Sequence, residues 1–438
     1  MKEYIRSNYQ FLLLCSLWIL VGITAGPIPA IIFILLSVLA LKYKFLYEEL
    51  FLGFAVILIL SDSRYKGLAF AADVKVIYIL LLSLFFFFDR KNFGSVNKLF
   101  YLFAPFLILS LFLIVISDDW GKCFQKTLSY TLLLFVVPNY VVKVYQIRGE
   151  FFFRNIVFLF ALFLIAGVAM KLAGSPMVSL AGRYRGVFGN PNGLGLFCTI
   201  FFLLFFVVQE YYPSLFLKRE KIFIYVLIIF SAIASGSRNT IVCLLSFLVF
   251  MRLYKLSPFI GFFVLAFIAI GYELIFQNFE TIIRYLSLGE YFRIETLATG
   301  SGRNVAWHFA WERIQENFFF GKGFAYDEIL FYGKDSVQLS MLGHQGNAHN
   351  SYLTIWLNTG IIGLFFFARG FLLAFINGAK NSRIAFPVMF TILFSANFES
   401  WMAASLNPIT IQLWIILTIF TSVEFNENKK LYSLSHID

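Results

Sequence analysis

Four short polar clusters interrupt an otherwise apolar chain: RYRGVFGNPNG at 183–193, SGSRN at 235–239, GSGR at 300–303 and HNS at 349–351. Each lies where an apolar helix is due to begin, and the residue types recur: arginine, asparagine and one histidine. Arginine presents a planar fork of N–H donors and stays charged at any relevant pH, so it grips phosphate oxygens two at a time. A neutral imidazole takes up a proton near pH 7. The start of a helix adds unpaired backbone N–H groups and a partial positive charge, both favourable to an anion. Arg183, Arg185, Arg238 and Arg303 therefore suit a diphosphate, with Asn190, Asn192 and Asn350 beside them at the helix starts. His349 is placed to act as the base. Fixed cations aimed at a departing diphosphate stabilise its developing charge more than they stabilise the ground state.

Such a set works only if the intervening elements bring it to one face. Of the 438 residues 60% are hydrophobic and only 13% charged, with a mean hydropathy of +0.81, which excludes an ordinary soluble domain. A bilayer core of about 30 Å needs roughly 20 apolar residues per helix. The apolar runs here are continuous, without the period-2 alternation of an outer-membrane barrel. The sequence thus predicts an all-α polytopic membrane protein with spans over 11–25, 27–41, 50–61, 74–88, 99–117, 127–143, 152–172, 193–209, 222–235, 240–254, 258–276, 351–372, 384–398 and 409–423. Several are short, so about 12 to 14 crossings are expected. Residues 1–438 read as a single membrane domain, with a large loop over 277–350 and a tail over 424–438.

The formal charge of +11 would point to nucleic acid in a soluble chain. Here its distribution matters more. With the N-terminus in the cytoplasm, Lys2 and Arg6, Lys42 and Lys44, Arg90, Lys91 and Lys98, Lys143 and Arg148, Lys218 to Lys221, Arg252 and Lys255, Lys380 and Arg383, and Lys429 and Lys430 all fall inside, as the positive-inside rule requires. Membrane lipids rather than nucleic acid are the expected surroundings, in an inner membrane, with both termini cytoplasmic and 277–350 periplasmic. The helices starting near 193, 240 and 351 then all begin on the periplasmic face, capped by Asn190, Asn239 and Asn350. Lys2 to Gly26 has the features of a signal peptide, but the run that follows at Pro27 makes ITAG read as a turn between two retained helices. The four cysteines are scattered, and no D-x-D, H-E-x-x-H or Walker A motif occurs, so neither metal nor cofactor is expected. Within the long loop, NVAWHFAWERIQENFFF sets Trp307, Trp311, Ile314 and Phe318 at helical spacing. That pattern fits a helix lying in the membrane interface or one packed on the loop's own core. Arg64, Lys66, Arg284 and Arg293 read as snorkelling to headgroups, and His308 and His436 as inert.

These motifs also carry a resemblance. The chain resembles the O-antigen ligase and polymerase superfamily, whose members move a glycan from undecaprenyl diphosphate to an acceptor on the periplasmic side. His349 to Gly363, HNSYLTIWLNTGIIG, is similar to the ligase-type pattern of histidine, a polar residue and a later Gly-x-x-Gly. Arg183 to Asn192, Ser235-Gly236-Ser237-Arg238, and Gly302-Arg303 with Trp307 match its other elements in order. The resemblance implies a GT-C-like, metal-independent inverting glycosyltransferase in which Arg238 and Arg303 hold the diphosphate and His349 activates the acceptor. Lys322 in FFFGKGF and His344 depart from the pattern, and either offers a further phosphate contact or a second proton acceptor. The acceptor is another lipid-linked unit, giving an O-antigen or surface polysaccharide polymerase, or a sugar of the lipid A core, giving an O-antigen ligase. The fully written R-x-G…N-P-N element tilts the reading to the polymerase. A polysaccharide flippase is the alternative from another class, but transporters show internal repeats and charges near the midplane, whereas here the basic motifs gather at one face.

Overall fold

The computed structural model describes residues 1–257, 260, 263, 264, 267, 303–333, 335–342, 344 and 346–425. The span expected over 258–276, the first part of the 277–350 loop with Gly300, Ser301 and Gly302, and the tail from 426 lie outside the described residues. Every other expected span is a helix. Among the described residues six helices, Lys66–Phe88, Lys98–Ile116, Trp120–Arg148, Phe151–Leu172, Pro191–Tyr211 and Ser351–Ala379, are long and apolar enough to cross a membrane. Tyr9–Thr24, Pro27–Tyr43, Ala385–Ala396 and Thr410–Thr421 are shorter apolar helices. Tyr47–Asp62, Lys218–Ala234 and Arg238–Leu256 complete the set of expected spans. The strands described are one two-residue pair, Ser179–Leu180 with Arg183–Tyr184. The protein is an all-α polytopic membrane protein.

Local sequence explains the helix boundaries. ITAG forms a turn in which Gly26 adopts φ 90°, and Pro27 opens the next helix, where its missing N–H costs nothing. Helix Trp120–Arg148 begins seven residues before the expected 127. Lys122, Gln125 and Lys126 break the apolar pattern there without breaking the helix. Lys126 is buried, and its ammonium lies 2.8 Å from Asp327 and 2.9 Å from Glu328, a partnership across 201 residues that periodicity cannot reveal.

The chain folds into two compact units, one of residues 1–100, 132–240 and 406–438, the other of 101–131 and 241–405. In the first, buried tyrosines turn their hydroxyls to backbone oxygens: Tyr78 to Leu50 at 2.9 Å and Tyr140 to Leu82 at 3.0 Å. Gly53 leaves room for Tyr78 and Trp18 to close on the Tyr47–Asp62 helix.

In the second unit the governing feature is a break. Helix Ser351–Ala379 is interrupted at Gly360, which takes φ 66° and ψ −179°, a conformation open essentially to glycine alone. Backbone groups freed inside a bilayer need partners, and residues 318–323 supply them. Ile361 N–H donates to the Phe318 carbonyl at 2.9 Å, Ile362 N–H to Phe319 at 3.3 Å, and Gly323 N–H to the Asn358 carbonyl at 2.9 Å. Trp356 donates its indole N–H to Phe318 as well, at 3.1 Å. The Asn358 side chain accepts from the Asp327 N–H and donates to the Asp327 carboxylate, both at 2.8 Å, joining the Lys126 cluster to the break. Helix Arg303–Glu316 packs against the same region: Ala306, Phe309, Ala310 and Ile314 are buried with Leu330, Phe331, Leu339 and Leu357. One side of that helix is thus packed on a core, while Trp311 stays exposed. Trp311 meets Trp356 edge-on at 5.4 Å.

A side chain at Gly360 would collide with the Phe319 carbonyl, besides straining the backbone. Gly360→Ala is expected to destabilise the protein by at least about 2 kcal/mol, read as a lowered thermal midpoint of the detergent-solubilised protein.

Candidate functional site

The first unit gathers the clusters at 183–193 and 235–239. Arg183 donates from Nε to the Ser235 carbonyl at 3.0 Å and from Nη2 to the Asn192 side-chain oxygen at 2.9 Å. Gly236, at φ 59°, lets the turn come up to the Arg183 Nε. Arg185 donates to the carbonyls of Met177 at 3.0 Å and Gly189 at 3.1 Å. Gly189 in turn donates its N–H to the Asp62 carboxylate at 3.0 Å. Asn190 caps helix Pro191–Tyr211, its side-chain oxygen accepting from Gly193 N–H at 2.7 Å. One expected cap moves: helix Arg238–Leu256 starts at Arg238 itself, so Ser237 rather than Asn239 precedes it. Ser237 suits that place, since its hydroxyl accepts from Thr240 at 3.0 Å and its N–H bonds to Ser235 Oγ at 3.1 Å. Arg238 thereby sits on the first turn of the helix.

The second unit assembles a different group. Asn350 caps helix Ser351–Ala379, accepting from Tyr352 N–H at 2.9 Å and Leu353 N–H at 3.1 Å. Immediately before it His349 adopts φ 47°, the left-handed region, which a residue with a branched or bulky side chain rarely enters. The His349 Nδ1 lies 3.0 Å from one oxygen of Glu399, and the Arg303 Nη2 lies 3.1 Å from the other. Glu399 belongs to the turn that follows helix Ala385–Ala396, and that turn is clasped to the start of the His349 helix. Ser351 Oγ donates to the Glu399 carbonyl at 2.6 Å, and Thr354 Oγ1 to Ser400 Oγ at 2.8 Å. Burial opposes ionisation of Glu399, yet the hydrogen bond from His349, its charge and the Arg303 guanidinium together hold the carboxyl below its usual range. An ionised Glu399 selects the imidazole tautomer: whenever His349 is neutral, Nδ1 is its protonated nitrogen. Nε2 then carries the lone pair, beside Gly346, where an added Cβ would come within 3.4 Å.

The two residues set apart as atypical have neighbours of their own. Lys322 lies 3.6 Å from Asp118 and above the Tyr326 ring. His344 is buried, edge-on to His349 with ring centres 5.7 Å apart, and its Nε2 is 3.0 Å from the Asn347 carbonyl. Glu399 is the residue that sequence reasoning missed. Its signal was its position, an isolated carboxylate one residue beyond the expected span 384–398, at the end assigned to the same face as His349.

Residues 223–368 match the family model described as Wzy_C, O-antigen ligase. This stretch belongs to the O-antigen ligase/polymerase superfamily. No curated protein matches the chain. The O-antigen ligase match takes in Arg238, Arg303, Trp307, His349 and the break at Gly360, and it supports a function of the O-antigen ligase or polymerase type in general. Arg183, Arg185, Asn190, Asn192 and Glu399 lie outside the matched residues of the O-antigen ligase domain.

Glu399→Gln replaces an acceptor by an amide whose N–H₂ group favours the opposite imidazole tautomer. The expected result is a fall in turnover of about 10²-fold or more with protein abundance retained, measured by single-turnover transfer assays on purified protein.

Proposed function

We propose that this protein is a periplasmic-face glycosyltransferase of the bacterial inner membrane, moving an oligosaccharide from undecaprenyl diphosphate to a glycan acceptor as an O-antigen or surface polysaccharide polymerase. The observation that carries the reading is the bond from His349 Nδ1 to Glu399, with Arg303 on the other carboxylate oxygen. A base oriented by a half-buried carboxylate, with a guanidinium alongside, suits transfer of a sugar to a hydroxyl.

In this mechanism His349 Nε2 accepts the proton of the acceptor hydroxyl. The freed oxygen attacks the anomeric carbon from the side opposite the diphosphate, and the bond from that carbon to the diphosphate oxygen breaks. The electron pair leaves with the diphosphate, and the configuration inverts. Glu399 stabilises the imidazolium that forms. In the second unit Arg303 and Asn350 are assigned to the diphosphate, Arg303 receiving the charge that develops on it; Arg238, Arg183 and Arg185, with Asn190 and Asn192, keep in the first unit the phosphate-binding role that their sequence motifs imply. In this reading the charge handling is assigned to side chains, and neither a metal nor a cofactor is given a step.

Ligation to a lipid A-core sugar uses the same chemistry with another acceptor, and the family described as O-antigen ligase favours it as the second reading. The lipopolysaccharide of a deletion strain separates the two. A single repeat unit still attached to core means polymerase, and unmodified core with accumulated lipid-linked polymer means ligase.

His349→Ala is expected to lower turnover by about 10²–10⁴ with donor binding kept, and to remove the acid limb of the pH profile. Arg238→Ala and Arg303→Ala should abolish transfer, with little recovery in the lysine variants, because a point charge does not replace a fork. Excess EDTA should leave transfer intact; loss restored by magnesium or manganese would end the metal-free reading. The orientation is tested by labelling intact cells with a membrane-impermeant thiol reagent. A cysteine at exposed Val337 should react and one at exposed Asn381 should not, and the reverse pattern would overturn the periplasmic assignment of His349.

A further inference from the structure

His349 holds a left-handed backbone although it is not glycine, a conformation that persists only where its surroundings over-determine it. The two dihedral angles of a residue are the rotations of its two flanking peptide planes, each of which is rigid. Both planes beside His349 are pinned. In the plane before it, the Ala348 carbonyl accepts from the Trp307 indole N–H at 2.9 Å, and the His349 N–H donates to the Asn347 side-chain oxygen at 2.8 Å. In the plane after it, the Asn350 N–H donates to Ser400 Oγ at 3.1 Å.

We propose that Trp307 and Ser400 are positioning residues that fix the backbone of His349 and thereby aim its imidazole at the acceptor hydroxyl. Trp307 stands one turn after Arg303 on helix Arg303–Glu316, so that helix grips the site at two points, Glu399 through Arg303 and the loop through Trp307. Ser400 follows Glu399 directly, so the turn that orients the imidazole ring also fixes the peptide that carries it. The indole of Trp307 is otherwise a packing group against the core of the unit, and phenylalanine preserves most of that role while removing the N–H.

The proposal rests on His349 as the base, and the experiment keeps the two claims apart. Trp307→Phe and Ser400→Ala should each lower kcat about ten-fold with the KM for donor unchanged, since misplacing a reacting group by a fraction of an ångström is felt in the rate. In a His349→Gly background, where exogenous imidazole serves as the base and the left-handed residue is glycine, Trp307→Phe should change the rescued rate less than two-fold. An equal loss in both backgrounds, or a raised donor KM, overturns the proposal. A second readout does not depend on activity or rescue. Hydrogen exchange of the peptide covering 344–350 should accelerate in both single variants while the rest of helix Arg303–Glu316 keeps its protection; unchanged exchange overturns the proposal. If His349→Ala stays active while exchange still accelerates, the base assignment fails and the brace stands.

Discussion

A carboxylate removed from water is tolerable only with charged or hydrogen-bonded partners, and Glu399 has one on each oxygen. That requirement ties three parts of the second unit together. Arg303 comes from helix Arg303–Glu316, His349 from the loop before helix Ser351–Ala379, and Glu399 from the turn after helix Ala385–Ala396. The three side chains are half-buried, so taking one partner away costs between the about 0–1 kcal/mol of an exposed pair and the about 3–5 kcal/mol of a buried one. The geometry of the imidazole is therefore held by electrostatics as much as by packing. The hydroxyls of Ser351, Thr354 and Ser400 hold the turn against the helix start, so the carboxylate does not depend on its own ion pairs to stay in place.

The arginines differ in what they touch. Arg303 faces a carboxylate, whereas Arg183 and Arg185 donate to backbone and amide oxygens. The bonds of Arg183 and Arg185 fasten the 183–189 segment to the elements around it. The side-chain oxygens of Asn190 and Asn350 cap their helices by accepting from backbone N–H groups of the first turn.

Much of this was legible in the sequence because hydropathy is a local property. Apolar runs of bilayer length placed every span that can be compared, and Asn190-Pro191 and Asn350-Ser351 marked two helix starts through cap chemistry alone. What escaped had partners remote in sequence. Lys126 looked like a polar residue ahead of a span until Asp327, 201 residues on, appeared beside it. Glu399 looked like a loop carboxylate, since nothing in its neighbours names His349, 50 residues earlier. The break at Gly360 hid inside an unbroken apolar run because hydropathy does not register φ, and the Gly-x-x-Gly pattern marked only that glycine mattered there. The helix 303–316 was ambiguous for a related reason, since tryptophans at helical spacing look the same against lipid headgroups and against a protein core.

The break at Gly360 also bears on how the chain is made. Its exposed backbone groups cannot be left bare in hydrocarbon, where each would cost several kcal/mol, and their partners at 318–323 lie upstream. During synthesis at about 5–20 residues per second, those acceptors leave the ribosome a few seconds before Gly360 does. The interrupted helix thus meets its complement already present, so insertion and docking of this region can proceed in one direction along the nascent chain.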